Sequence, residues 1–302
     1  MTILTVVIPS WNTRELLRAC LDSLKTTLPM SSEIIVVDNA SHDGSARMVT
    51  EQYPYVRLIK NAKNEGFAAA TNQGVEAARG AYVLFLNSDT QVQGNAVRSM
   101  VAFLERNLRY GAVAPRLLNP DGSTQKAHMR FPKILTPLFF GTPLERFWPS
   151  SPEMRRYFAR DFDYDADGDV EQPPAACLLM RRKALKKAKP LDETLWLFFN
   201  DVDLCNRLWS SGWRIGYLAD AHVYHHGGMS TRQYHDFVGE YHKNRLAYYR
   251  KHHGQFAGSW IKLCVAWTVA DHCVRELWRR AQGLPEEPLL PIWHHFQVFL
   301  KR

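Results

Sequence analysis

Four short, largely apolar runs mark the first ninety residues, and each stops abruptly in polar side chains. Residues 4–8 precede Pro9 and Ser10, 33–37 precede Asp38 and Asn39, 56–59 precede Lys60, and Tyr82–Leu86 precedes Asn87, Ser88 and Asp89. Runs of this length with β-branched and aromatic members predict buried strands. Between the first two, Leu16, Leu17, Cys20, Leu21 and Leu24 recur at helical spacing, and Asn12 with Glu15 three residues on has the form of a capping box. Ala46, Val49 and Tyr53 predict a second helix, the small-residue stretch 67–79 a third, and 93–106 a fourth. Strand and helix alternate with short links, which predicts a parallel βαβ sheet with right-handed crossovers.

The pattern loosens after residue 115. A strand is expected at 111–115, followed by a turn at Asn119, Pro120, Asp121 and Gly122. From 126 to 171 prolines alternate with aromatics and periodicity fails, so short helical pieces are expected, forming a flap over an acceptor groove. The aspartates of 161–169 lack the glycine and terminal glutamate of an EF-hand and read as a solvated loop. Strands are expected at 175–180 and 212–218, with a helix starting at Asn200 between them. In 221–228, His222, Tyr224 and His226 alternate with Val223 and His225 before two glycines. Two helices follow, 234–252 and 260–280. The second sets Ile261, Val265, Val269, Cys273 and Leu277 on one stripe, with Trp260, Trp267 and Trp278 adding bulk and a polar side of Lys262, Asp271, Arg275, Arg279 and Arg280. Such a helix suits a membrane interface, or packing on the core or on a second copy in a homodimer. The tail at 293–299 is expected to dock beside it.

Composition narrows the class. A chain of 302 residues that is 46% hydrophobic and 23% charged is globular, with a core large enough for one large or two ordinary domains. The net charge of +8 suits a phosphate-rich ligand or an anionic membrane. It does not make a nucleic-acid binder, because the basic residues are dispersed and no RRM, KH or zinc-finger pattern is present. The cysteines, Cys20, Cys177, Cys205, Cys264 and Cys273, show no metal spacing and read as reduced, mostly buried thiols. The amino terminus lacks the basic start of a secretory signal, and no run reaches the roughly 18 apolar residues of a spanning helix. A cytoplasmic protein is expected, soluble or lying on the inner face of the plasma membrane.

The candidate chemistry lies at the strand ends. In a parallel sheet Pro9-Ser10, Asp38-Asn39 and Asn87-Ser88-Asp89 fall on one edge, where open α/β sheets bind ligands. A carboxylate there without a neighbouring Lys or Arg invites a divalent cation. Taken alone, 87–90 is equally a turn leading into the next helix. The absence of GxGxxG after the first strand and of GxxxxGK[ST] anywhere argues against a dinucleotide fold or a P-loop enzyme. Asp201 and Asp203 fall in a first helical turn, where the dipole alone favours acids. The histidines of 222–226 read either as metal or phosphate ligands or as ordinary surface residues. Arg207 and the basic cluster of 181–189 read as phosphate contacts or, more simply, as solvated surface.

Taken together the motifs resemble family 2 glycosyltransferases of the GT-A fold, in particular the rhamnosyltransferase-like branch that builds bacterial surface polysaccharides. They are VVIPSWN at 6–12, IIVVDNASHDGS at 34–45, NEGFAAATNQG at 64–74, YVLFLNSD at 82–89, FFNDVDLCNRLWSSGWRIGYL at 198–218 and VYHHGGMS at 223–230. The resemblance implies an α/β fold with a mostly parallel central sheet flanked by helices and a helical C-terminal extension. It implies a catalytic domain over 1–250, with a nucleotide-binding half at 1–115 and an acceptor-binding half at 116–250, and an extension over 251–302. It sets Pro9, Ser10, Asn12, Asp38 and Asn39 around the base and ribose, with Asp38 reading uracil or thymine. Asn64, Gly66, Phe67, Ala68 and Asn72 lie around base and phosphates. Asp89 corresponds to the last acid of the family's metal motif, whose first aspartate is Asn87 here; Ser88 lies between them. His225 joins Asp89 as a metal ligand, and the catalytic base falls on Asp201. Asn200, where relatives carry Glu, and Asp203 and Trp196 take acceptor-binding or supporting places.

The activity so implied is metal-dependent, inverting transfer of a sugar from a dTDP- or UDP-linked donor to a glycan or lipid-linked acceptor. Mg²⁺ or Mn²⁺ on Asp89 neutralises the leaving diphosphate, and Asp201 takes the acceptor proton in one displacement. The expected donor is dTDP-L-rhamnose. UDP-galactofuranose, UDP-glucose and UDP-N-acetylhexosamine are the alternatives. A non-catalytic glycan-binding scaffold would not need both Asp89 and Asp201. Peripheral membrane contact through 256–302 completes the expectations.

Overall fold

The computed structural model describes residues 3–234 and 237–282. Contacts among the described residues divide them into two compact units, one within 3–129 and 162–234 and the other within 130–161 and 237–282.

The first unit begins with β1 (Leu4–Ser10), α1 (Arg14–Thr27), β2 (Ser32–Asp38), α2 (Ser45–Gln52), β3 (Arg57–Lys60), α3 (Phe67–Ala77) and β4 (Tyr82–Leu86). These strands pair in parallel in the order β3-β2-β1-β4, with Ser10 opposite Asp38 and Leu4 opposite Tyr82. Val6, Val7 and Ile8 are fully buried, as a central strand covered on both faces requires. One face takes Leu17, Cys20, Leu21 and Leu24 of α1. The other takes α3, whose small residues permit a close approach: a Cβ on Gly74 would stand 2.3 Å from Val7 Cγ1.

The expected capping box does not form. Thr13 occupies the N-cap of α1 without a side-chain cap bond, while Asn12 sits at φ 51° and accepts from His42 N through Oδ1 at 2.8 Å. Asp43 Oδ2 instead accepts from Arg14 N at 2.7 Å. A longer-range partner thus replaces the local glutamate.

The sheet continues with β5 (Thr90–Val92), α4 (Ala96–Arg106), β6 (Tyr110–Leu118), β7 (Gly168–Asp169), β8 (Cys177–Arg181), α8 (Arg182–Ala188), α9 (Asn200–Ser210) and β9 (Arg214–His225). β8 runs antiparallel between β4 and β6; β9 is parallel to β6 and carries β5 and β7 antiparallel. Two expectations change here. The helix at 93–106 starts later because 90–92 form a strand, and the strand at 212–218 and the histidine stretch are one continuous strand. The acidic loop is also held to the sheet: Asp165 pairs with Arg116 at 2.9 Å and Asp167 accepts from Ala219 N at 2.8 Å.

Lys183, Lys186, Lys187 and Lys189 of the basic stretch are exposed, as solvated surface is, and Arg181 at the end of β8 is the exception. Arg181 is 8% exposed and donates to the carbonyls of Tyr110, Leu104 and Asn107. Arg207 pairs with the fully buried Asp203 at 2.8 Å and caps the end of α8 through the carbonyls of Ala188, Lys189 and Pro190. Neither guanidinium is solvated surface or a phosphate contact; both satisfy carbonyls that helix ends leave unpaired.

In the second unit, 130–161 forms the short helices expected, α5 (Thr136–Phe139), α6 (Pro143–Phe147) and α7 (Pro152–Tyr157). They are joined by α10 (Phe237–His253) and α11 (Gln255–Ala281). Tyr248, Tyr249, Ile261, Cys264 and Met154 are buried there. The stripe expected on the last helix holds only in part: Ile261, Val265 and Val269 are buried, whereas Leu277 is 67% exposed. Steps of four residues drift by about 40° each, so a stripe built from them rotates out of contact along a long helix. The tail at 293–299 lies outside the described residues. All five cysteines are free, and four of them are buried.

Candidate active site

The ends of β1, β2 and β4 border a cleft, on the edge where open α/β sheets bind ligands. Pro9, Ser10, Trp11, Asn39, Asn64, Gly66 and Phe67 line one part, Asn87, Ser88 and Asp89 another, and Trp196, Leu197, 228–231 and Tyr234 the rest.

Hydroxyl and amide networks fix this edge. Ser10 Oγ bonds Thr13 Oγ1 at 3.1 Å, and Thr13 Oγ1 bonds Ser88 Oγ at 2.8 Å, tying the end of β1 to that of β4. Asn39 is used on both sides of its amide: Nδ2 donates to Asn64 Oδ1 and Gly66 O, and Oδ1 accepts from Asn61 Nδ2 and Glu65 N. It shapes the 61–66 loop rather than offering groups to a ligand. Asn72 is likewise engaged, bonding Leu191 through both amide ends. Ala68 is wholly buried, and Asn12 is held by His42 and Ser41.

Trp196 does more than line the cleft. Its carbonyl accepts from Phe67 N at 2.9 Å and from Ala68 N at 3.4 Å, so the first amides of α3 are satisfied by protein. Its indole lies over Gly66, where φ is 89° and an added Cβ would fall 2.4 Å from the ring. Tyr234 stands 4.9 Å from Trp196 and 6.5 Å from Trp11, giving the cleft an aromatic wall. Asn200 turns inward and donates to Leu195 O and Leu197 O, which holds this loop in place.

The metal candidates meet through the short strand absent from the expected pattern. Pairing of Thr90 with His225 brings His225 Nε2 to 3.5 Å from Asp89 Oδ1. Gln125 orients the ring: its Oε1 lies 2.7 Å from His225 Nδ1, while its Nε2 donates to Asn119 Oδ1 and His225 O. Nδ1 is therefore the donor, and Nε2 turns a lone pair toward the carboxylate. Burial pushes the His225 pKa down, opposed in part by the Asp89 charge, which keeps the ring neutral at pH 7. Two facing lone pairs repel unless a cation stands near. Asn87 Oδ1 and Asp38 Oδ1 are also buried without a protein partner. Asp89, His225 and Asn87 thus fit a divalent cation with oxygen and imidazole ligands. Among the described residues no cluster of three or more His, Cys, Asp or Glu exists, so substrate oxygens or water must complete such a shell.

Asp201 starts α9 behind Phe199, a bulky residue at φ 61°. Its Oδ1 accepts from Val202 N at 2.8 Å and its Oδ2 from Ala175 N at 3.4 Å, while the next carbonyl, Ala176 O, accepts from Asn87 N. Asp201 is thereby linked to the metal candidates through two adjacent residues of one segment. Desolvation raises its pKa above the ordinary carboxylate value, and the backbone amides offset this in part.

A sequence profile of the glycosyl transferase family 2 matches residues 5–188. The chain belongs to glycosyl transferase family 2. Among family 2 relatives, the N-acetylglucosaminyl-diphospho-decaprenol L-rhamnosyltransferase of Mycobacterium tuberculosis is 28% identical over 259 residues, 82% of either chain. The putative teichuronic acid biosynthesis glycosyltransferase TuaG of Bacillus subtilis is 28% identical over 139 residues, 44% of this chain and 55% of that one. Two solved structures share the GT-A fold. GalNAc-T7 with UDP, GalNAc and Mn²⁺ superposes with a TM-score of 0.56 at 16% identity over 74% of this chain and 44% of that chain. Residues 1–349 of S. aureus TarS give 0.54 at 14% identity over 99% and 91%. The family profile ends before Trp196, Asp201 and His225, whereas the mycobacterial alignment runs past them. No helix among the described residues is long and apolar enough to cross a membrane.

Thr13, Trp11, Gln125 and Tyr234 were not legible as site residues. Thr13 follows Asn12 in what reads as a helix cap, Trp11 directly follows the Pro9-Ser10 strand end, and Gln125 and Tyr234 reach the edge only through tertiary contacts.

Proposed function

We propose that this family 2 member is an inverting glycosyltransferase that moves a sugar, L-rhamnose from dTDP-L-rhamnose, to a hydroxyl of a lipid-linked or growing polysaccharide. The observation that carries this assignment is the facing pair Asp89 and His225, linked through Asn87 and 175–176 to a desolvated Asp201. The choice of donor follows the printed activity of the mycobacterial relative.

Asp38 Oδ1, buried and without a protein partner, is suited to accept from the imino group of a pyrimidine base, which uracil and thymine share. The aromatic wall of Trp11, Trp196 and Tyr234 excludes water from the sugar side. Asp201 takes the proton of the acceptor hydroxyl as its oxygen attacks the anomeric carbon from the side opposite the diphosphate, which inverts the configuration. Asp89 and His225, with Asn87, would hold Mg²⁺ or Mn²⁺, which when bound supplies positive charge to the leaving diphosphate. A raised Asp201 pKa makes the carboxylate a stronger base once ionised, at the expense of the ionised fraction at low pH. A lipid-linked acceptor is presented at a membrane face, and contact of 256–302 with that face belongs to this assignment.

Product formation from dTDP-L-rhamnose and from UDP-galactofuranose, UDP-glucose and UDP-N-acetylhexosamines, with and without chelator, is the test. Turnover is expected with dTDP-L-rhamnose and is lost on chelation. Preference for a UDP-sugar would overturn the donor, and turnover unaffected by chelator would overturn the metal.

A further inference from the structure

α11 is apolar on both faces. Ile261, Cys264, Val265 and Val269 pack into the second unit, yet the opposite side presents Phe256 at 92%, Leu263 at 61%, Val274 at 66%, Leu277 at 67% and Trp278 at 61% exposure. A helix that is apolar all round is normally covered all round, and single scattered surface apolars need no explanation whereas a contiguous run does.

The exposed strip is wider than one helix. Trp260 Nε1 donates to Ile134 O, Thr268 Oγ1 donates to Gly141 O, and Arg146 pairs with Asp271, so 134–146 runs along the flank of α11. That flank adds Ile134 at 42%, Leu135 at 52%, Phe147 at 73% and Trp148 at 53% exposure. A partner helix covers a narrow seam; an apolar surface that extends past the seam onto neighbouring loops suits a plane.

Charge selects the plane. Residues 130–161 and 237–282 hold fourteen Lys and Arg against six Asp and Glu, whereas the rest of the sequence holds twenty-four of each. The whole excess of +8 thus resides on these two segments. Tryptophans beside an apolar strip on a cationic body match the boundary between lipid headgroups and acyl chains.

We infer that the outer face of α11, with the flanking 134–148 segment, is a docking surface for an anionic lipid bilayer, seated in its interface without crossing it. This rests on the lipid-linked acceptor assigned above for its purpose, but its test needs neither donor nor acceptor, so the two can fail separately.

Flotation of the full chain with vesicles of phosphatidylcholine, and of phosphatidylcholine with phosphatidylglycerol, provides the test. Recovery is expected to be at least about tenfold higher with the anionic vesicles and to fall at high salt. The triple variant Phe256→Glu/Leu263→Glu/Leu277→Glu should lose at least about tenfold in binding while keeping its circular dichroism melt, since these side chains touch solvent. Leu108→Glu, 71% exposed in the first unit, should bind like the parent. Should the triple variant fail to fold, Leu263→Ser and Leu277→Ser are read singly. Absence of flotation by the parent, or flotation unchanged in folded variants, overturns the inference. So does a parent dimer that the variants convert to monomer with no change in flotation, which would give the face to a second copy.

Discussion

The two acids in the first turn of α9 stand in different surroundings. Asp203 is fully buried and its charge is answered by Arg207, whose remaining donors satisfy the end of α8. Asp201, two residues earlier, has only backbone amides for partners, and burial raises its pKa. Asp89 resembles Asp201: it is 6% exposed and faces a neutral imidazole instead of a cation. A buried carboxylate answered by an arginine is a structural element. One left to amides and lone pairs retains its affinity for a proton or a cation, which is the property a transfer reaction uses.

The sharpest way to break this contrast is Asp201→Asn. Turnover is expected to fall by about 10²–10⁴-fold, while thermal stability at neutral pH rises. The sign follows from linkage. A carboxyl whose folded pKa is raised favours the folded state below its unfolded pKa and loses that contribution as pH rises through the folded pKa, so at neutral pH the charged form is a burden that Asn removes. In the parent, activity should decline on the acid side at a higher pH than an unperturbed Asp would give. An Asp201→Asn protein of parental activity would remove the base.

Arg207→Ala should act in the opposite way. Leaving Asp203 buried without its partner is expected to destabilise by about 3–5 kcal/mol in denaturant titration, with turnover per folded molecule little changed. A drop in turnover without loss of stability would mean that Arg207 belongs to the reaction. Next in size, Asp89→Ala should weaken metal-dependent donor binding by at least about a hundredfold in calorimetric titration, with little change in the melt. Gly66→Ala is expected to destabilise by about 1–3 kcal/mol, because φ is 89° and the methyl meets Trp196. In a Trp196→Ala background the part due to the clash should disappear and the part due to φ remain. The smallest effect is expected from Lys186→Ala, an exposed position in α8, within about 0.5 kcal/mol.

Much of the first half was legible because its signals are local. Apolar runs ending in Pro9-Ser10, Asp38-Asn39 and Asn87-Asp89 placed the strands, and parallel pairing then put their ends on one edge, where the cleft lies. Ser10, Asn39, Asn64, Gly66 and Trp196 line that cleft. Asn39, Asn72 and Asn200 spend their amides on holding loops. An amide that shapes a loop and one that meets a ligand look the same in sequence, since only the distant partner differs.

Local periodicity also misjudged long-range pairing. Nothing in Thr90–Val92 distinguishes a strand from a helix approach, yet its pairing with β9 is what joins Asp89 to His225. The lysines of the basic cluster are exposed, as charge normally is, and Arg181 departs from them. Arg181 is buried because carbonyls of 104, 107 and 110, some seventy residues away, need donors.

By itself the sequence determined the alternation of strand and helix, the family, and which acids stand at strand and helix ends, because each depends on residues within one or two turns of each other. Asp203 meets Arg207 four residues on in the same helix, whereas tertiary structure alone decided what surrounds Asp89 and Asp201. That outcome depends on partners a hundred residues apart, such as Gln125 and His225, and on a burial that no local pattern encodes.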